Sequence, residues 1–207
     1  MKVSTPVRTF VTIGLFCCLV FGAGCAAQSS GDLASGAGFA LSEAVGITVP
    51  DGWSGTWDRW TQSERSAMDP ELELQMMRET ASGRTDSIRI GVFASRADAA
   101  KLIGLDEGAA ARSAESTDPA GVPAGGAMRF ESAAGPAVAR VVRNRPETLE
   151  EFNPFEIVVW LGAESERPIR VSASLNDYPG TVPATAGDRE LATGLLDYLG
   201  LARDGGR

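Results

Sequence analysis

Histidine, the commonest general base, proton shuttle and zinc ligand, does not occur in this 207-residue sequence. Of its three cysteines, Cys17 and Cys18 lie inside an apolar run and Cys25 follows just after it. Hydrolytic chemistry would therefore have to use a Ser–Lys pair or carboxylates. Lys101, the one lysine beyond the N-terminal segment, lacks a Ser-x-x-Lys spacing. The acidic clusters Asp106/Glu107 and Glu147/Glu150/Glu151 lack the ligand spacing of an EF-hand loop and read as solvated loop positions. The residue inventory thus predicts a protein that is not an enzyme, with no cofactor, no catalytic residues and no metal site.

The cysteines instead point to processing chemistry. Residues 1 to 8 carry the basic Lys2 and Arg8, the apolar run FVTIGLFCCLVFGAG follows, and small residues surround Cys25. That order is a signal sequence. Gly22-Ala23-Gly24-Cys25 resembles the bacterial lipobox, in which a Cys receives a diacylglyceryl group before cleavage leaves it N-terminal. The lipobox usually has Leu where Gly22 stands. Ordinary cleavage just after Ala27, and an uncleaved membrane helix over 9 to 27, are the alternatives the same residues allow. Acylation at Cys25 would attach the chain to the membrane by a lipid anchor, at the extracytoplasmic face of a bacterial cell membrane. Cys17 and Cys18 are lost with the leader, which leaves the mature domain without a disulfide.

Lys2 and Arg8 are the only charges before Cys25, so the mature chain keeps 27 acidic residues against 17 of the 19 basic ones, a net charge of −10. Such a balance argues against nucleic acid as a partner and against attraction to an anionic lipid surface.

Two groups of residues are candidates for recognition. Trp53, Trp57 and Trp60 fall within eight residues. Core packing is the simpler reading for such aromatic residues. Trp57 and Trp60 are at helical spacing, whereas Trp53 follows a turn and is the one expected at the surface. Arg140, Arg143 and Arg145 form a small basic spot at the mouth of the connection RPETLEEFNP over 145 to 154, which also carries Phe152. Long loops between strands often hold binding residues, although pairing with Glu147, Glu150 and Glu151 is the simpler role for these arginines. The candidate surface for a partner is thus Trp53, Arg143, Arg145 and Phe152.

The elements that must position these residues follow from patterning. Residues 26 to 38, small, polar and Gly-rich, read as a flexible tether with a reach of about 20 Å. VGITVP is a short strand stopped by Pro50-Asp51-Gly52. ELELQMMRE and DSIRIGVFAS alternate as two strands of a hairpin across Ser82-Gly83-Arg84. Ser95 to Asp98 has capping-box spacing for a short helix that ends at Gly104, with a second helical piece from Asp106 to Glu115. The stretch 117 to 126 is a loop. AMRFES and PAVARVVRN form a hairpin across Ala134-Gly135. FEIVVWLG is a central strand, and PIRVSASL alternates again. The chain closes in an amphipathic helix that Thr185 and Asp188 cap, with its apolar stripe on Leu191, Ala192, Leu195, Leu196 and Leu199.

Consecutive hairpins with helices at mid-chain and at the end predict an α+β domain. Its core would be an antiparallel β-sheet with a short mid-chain helical segment and a C-terminal amphipathic helix packed on it. The expected organisation is a signal peptide over 1–24, the lipidated Cys and flexible tether over 25–38, a single domain over 39–203 and a tail over 204–207. The "GITVPDGW" turn, the mid-chain helix and the pair "FEIVVWLG…RPIRVSASL" before a terminal helix resemble the PsbP-like fold family. That family includes extrinsic photosystem subunits and LpqN-type bacterial lipoproteins. The resemblance covers residues 39 to 201 and implies binding or scaffolding rather than catalysis. The expected role is an accessory module for an envelope protein partner. A carrier holding an apolar or lipid-like ligand between sheet and helix is the alternative.

Overall fold

The structure, a computed structural model, describes residues 29–66, 68–115, 127–132, 135–143, 154–179, 181–183 and 185–201. Cys25, Arg145, Phe152 and the connection over 144–153 lie outside the described residues. The alternating segments fold as predicted into strands β5 (Leu72–Glu79), β6 (Thr85–Val92) and β10 (Ile169–Leu175). The continuously apolar β9 (Phe155–Leu161) lies between β10 and β8 (Gly135–Arg143), buried on both faces, as its composition requires. β7 (Met128–Ser132) closes that edge. With β1 (Ser29–Leu33) and β4 (Ser54–Arg59) these strands make one antiparallel sheet of eight, in the order β1-β4-β5-β6-β10-β9-β8-β7.

The two edge additions correct the sequence reading. Ser29–Leu33 belongs to the expected tether, yet it pairs along its whole length with β4, Ser29 opposite Arg59 and Leu33 opposite Gly55. Its polar, Gly-rich composition is that of an edge strand, in which Leu33 is buried. Trp57 is in β4 rather than on a helix, and its indole packs over Gly31, where an added Cβ would sit 2.6 Å from the ring nitrogen.

Each face of the sheet has its own core. The first face carries Leu74, Met76, Ile88, Ile90, Ile157, Val159 and Val171, all fully buried. It is covered by α2 (Asp188–Tyr198) and by a two-stranded hairpin of β2 (Gly38–Ala40) and β3 (Gly46–Thr48). Phe39 of that hairpin stacks at 5.4 Å on Trp57. On α2, Leu191, Ala192, Leu195 and Leu196 turn inward at the expected helical spacing. The helix starts two residues later than the predicted Thr185 cap. Gly187 is its N-cap, and its backbone N–H donates to the Glu190 carboxylate at 3.1 Å. Gly194 lets Val182 and Tyr178 cross the helix closely; an added Cβ would lie 2.5 Å from Val182 Cγ2. Burial, with Asp197 nearby, holds the Tyr178 hydroxyl above its ordinary pKa.

The second face is covered only in part. α1 (Arg96–Glu115) is one continuous helix, where two pieces broken at Gly104 were expected. Ser95 caps it as predicted, accepting from the Asp98 N–H at 3.2 Å. Gly104 is exposed and meets nothing within 4 Å, so it costs the helix only its weak propensity, about 1 kcal/mol, which the docking of the turns before it offsets. That docking uses Ala99, Leu102 and Ile103 against Phe93, Val138, Val158 and Trp160. Among the described residues no helix is long and apolar enough to cross a membrane.

Candidate functional site

The residues expected to form a recognition surface do not come together. Trp53 is only 1 % exposed, which corrects its placement at the surface. Its N–H donates to the Tyr198 hydroxyl at 2.8 Å, and the Arg78 guanidinium lies 5.0 Å from its ring centre. The Pro50-Asp51-Gly52 turn swings the indole inward rather than out, because the chain continues directly into β4 over the same core. Arg143 stands at the other end of α2, bonded to the Ala186 carbonyl and 3.0 Å from the Asp188 carboxylate. Ten helical residues, about 15 Å, separate the two positions. Arg143 thus fastens the end of β8 to the start of α2.

Asp106 is helical, as the reading of a helical piece from Asp106 to Glu115 has it, but it is not a solvated position. It is on α1, and its carboxylate accepts from Trp160 Nε1 at 2.8 Å and from Arg170 Nε at 3.1 Å. Arg170 in turn lies 5.8 Å from the centre of the Trp160 ring. This cluster locks α1 to β9 and β10 over the covered half of the second face. Charge-assisted hydrogen bonds of this kind each contribute about 1.5–3 kcal/mol, so Asp106→Ala is expected to cost about 2–3 kcal/mol. Amide exchange in α1 should speed up by more than in α2; equal protection in both helices would deny Asp106 that role.

Beyond α1 the second face is open, and there the strand register assembles a polar patch that no local motif announces. Arg89 on β6 has Gln75 of β5 on one side and Ser172 of β10 on the other. One pleat toward the Ser29 end, Gly91 separates Glu73 from Arg170. One pleat the other way stand Met77, Ser87 and Ser174. Thr56 and Asp58 continue the patch onto β4. Pro70 leans over Gly91, where a side chain would come within 3.2 Å of the proline ring.

The result is an open groove of about 170 Å³, whose lining includes Met68, Pro70, Phe93 and Leu102 beside Glu73, Arg89 and Arg170. Among the described residues three large apolar side chains are exposed: Met68 at 39 %, Met77 at 47 % and Leu105 at 52 %. Met68 lines the groove, Met77 is on the open face, and Leu105 is on α1, the helix that supplies the groove's Leu102. Among the described residues neither Glu73 nor Arg89 has an ion-pair partner, whereas Arg170 is already neutralised by Asp106. A guanidinium, a carboxylate, an amide and hydroxyls beside exposed thioether and aliphatic carbon suit hydrogen bonding to another polar surface. No nucleophile is paired with a base in the groove. Among the described residues no three acidic or thiol groups cluster as metal ligands.

No protein-family model, curated protein or solved structure matches the chain.

Proposed function

We propose that this protein is a non-catalytic lipoprotein of the bacterial cell envelope, exported by its leader and anchored through Cys25. Its domain binds an envelope protein partner with the open half of the second sheet face. The observation that carries this reading is the uncovered patch of β4, β5, β6 and β10, where Arg89, Glu73 and Gln75 stand beside exposed Met77. Mixed polar and soft apolar surface of this kind is typical of interfaces between separately folded proteins. The resemblance of the sequence to the PsbP-like fold family, which implies binding or scaffolding, points the same way. The carrier alternative draws no such support: Leu191, Ala192, Leu195 and Leu196, which would line a chamber between α2 and the sheet, are 0–1 % exposed within a packed core.

Two measurements test the two halves. Growth with a fatty-acid analogue should label the protein, and Cys25→Ala should abolish the label; unchanged labelling in the variant refutes the anchor. For the binding face, Arg89→Glu should lower recovery of the partner from solubilised membranes about tenfold, the loss expected when an interface residue worth more than 1 kcal/mol is reversed. Arg189→Glu, at the far edge of the sheet, should leave recovery unchanged. Equal recovery with both variants refutes the assigned face.

A further inference from the structure

The start of β1 has a consequence for how the domain sits on the membrane. Only residues 26–28 separate Cys25 from Ser29, the first residue of the sheet. A fully extended chain advances at most about 3.6 Å per residue, so the two Cα atoms cannot be more than about 14 Å apart. An acylated Cys25 is held at the headgroup level, and one end of the sheet is therefore held close to it.

The register says which end. Ser29 is opposite Arg59, and Arg59 is opposite Leu72, so the segment 60–71 that joins β4 to β5 lies beside the anchor. That segment is a compact pair of turns. Glu64 accepts from the Thr61 N–H and hydroxyl, and Asp69 accepts from the Ser66 N–H and hydroxyl. These bonds hold both carboxyls below the ordinary carboxylate range. The segment presents half-buried Trp60 and exposed Met68. Residues 60–70 carry Arg65 against Glu64 and Asp69, a net charge of −1, while the mature chain as a whole is at −10. Trp60 and Met68 are side chains suited to the headgroup boundary, and the charge around them is low. The β5–β6 turn is at the other end of the eight-residue strands, roughly 26 Å further out.

Resting on the acylation of Cys25 put forward above, we propose that the segment 60–70 lies on the bilayer surface. Trp60 and Met68 sit at the headgroup boundary, and the sheet stands with its Ser29 end down. The 80–84 turn and the Arg143 end of the domain then face away from the membrane. The open face of β4, β5, β6 and β10 runs up from the surface, accessible to a partner in the same membrane.

After loss of the leader Cys25 is the only thiol, so single cysteines can be introduced for labelling. Gln62→Cys and Ser82→Cys, both at exposed positions, would carry an environment-sensitive fluorophore on the acylated protein. The protein is reconstituted into vesicles of phosphatidylethanolamine and phosphatidylglycerol containing lipid spin-labelled on its headgroup. Quenching at position 62 should exceed that at 82 by about threefold or more, given a strand-length difference in height of about 26 Å. Intact mass of the same samples reports the acyl chains on Cys25. Equal quenching on acylated protein overturns the orientation and leaves the anchor standing. Protein with no acyl chains on Cys25 overturns the anchor reading and the orientation with it.

Discussion

Gly55→Ala is expected to destabilise the protein by about 3–5 kcal/mol, among the largest effects a single methyl group can have. Gly55 is opposite Met76 in the β4–β5 ladder. A Cβ built on it would lie 1.9 Å from the Gln75 carbonyl oxygen and 2.8 Å from both the Gln75 carbonyl carbon and Met76 Cα. All three are backbone atoms of a strand paired on both sides, so no side-chain rotation relieves the clash. The strands must separate, and β1, which is bonded to the sheet only through β4, separates with them. Gly38→Ala is the control. Nothing lies within 4 Å of a Cβ there, and no unusual backbone angle is needed, so stability should change by no more than about 0.5 kcal/mol. Urea titration measures both. A Gly55→Ala midpoint equal to that of Gly38→Ala would mean that β4 does not approach β5 as closely as the structure shows.

Asp86→Ala should cost about 3–5 kcal/mol by a different route, the exposure of a buried charge to an apolar surrounding without its partner. Asp86 has no solvent exposure, and Arg78 meets its carboxylate at 2.5 Å. The same carboxylate accepts from the Asn176 backbone N–H at 2.6 Å and from the Asn176 side chain at 3.2 Å. Arg78 also donates to the Asp177 carbonyl at 3.1 Å and stacks on Trp53. One carboxylate thereby fixes the turn after β10, the end of β5 and the Trp53 indole that reaches Tyr198 on α2. With a urea dependence of about 2 kcal/mol per molar, the midpoint should fall by roughly 2 M. Replacing both charges, in Arg78→Met with Asp86→Leu, should cost less than Asp86→Ala alone, because no uncompensated guanidinium remains. A double variant worse than the single one would show that the pair contributes net stability rather than mutual neutralisation.

How much of this was legible in the sequence depended on where the deciding interaction lies. The strict alternation of β5, β6 and β10 and the unbroken apolar run of β9 report burial directly. Their place in the sheet follows from local pattern, and so does α2 with its leucine stripe. β1 is different: Ser29-Ser30-Gly31-Asp32 has no strand signal of its own and is ordered by pairing with β4, a partner more than twenty positions away. Trp53 was misplaced because a turn signal tells where the chain bends and not which side of the bend meets the core. Asp106 looked solvated because its partners, Trp160 and Arg170, are more than fifty residues distant.

The candidate site was the least legible part. Glu73, Gln75, Arg89 and Ser172 appear in the sequence only as the outward positions of alternating strands, where a polar residue is the ordinary occupant of a solvated face. Their juxtaposition is created by the register of three strands. That the face stays open is decided by α1, which docks over Trp160 and Val158 and leaves β5 and β6 bare. Arg143, in contrast, could be singled out from the local cluster of arginines at the end of β8.

The most direct test of the binding face is photo-crosslinking in intact cells, with a light-activated amino acid placed in turn at positions 75, 172 and 189. Positions 75 and 172 flank Arg89 on the open face, and 189 lies on α2 at the far edge of the sheet. A partner-sized adduct of the same mass from 75 and 172, absent from 189, is the predicted result. Adducts from 189 with none from 75 or 172 would contradict the assignment of the open face as the partner-binding surface.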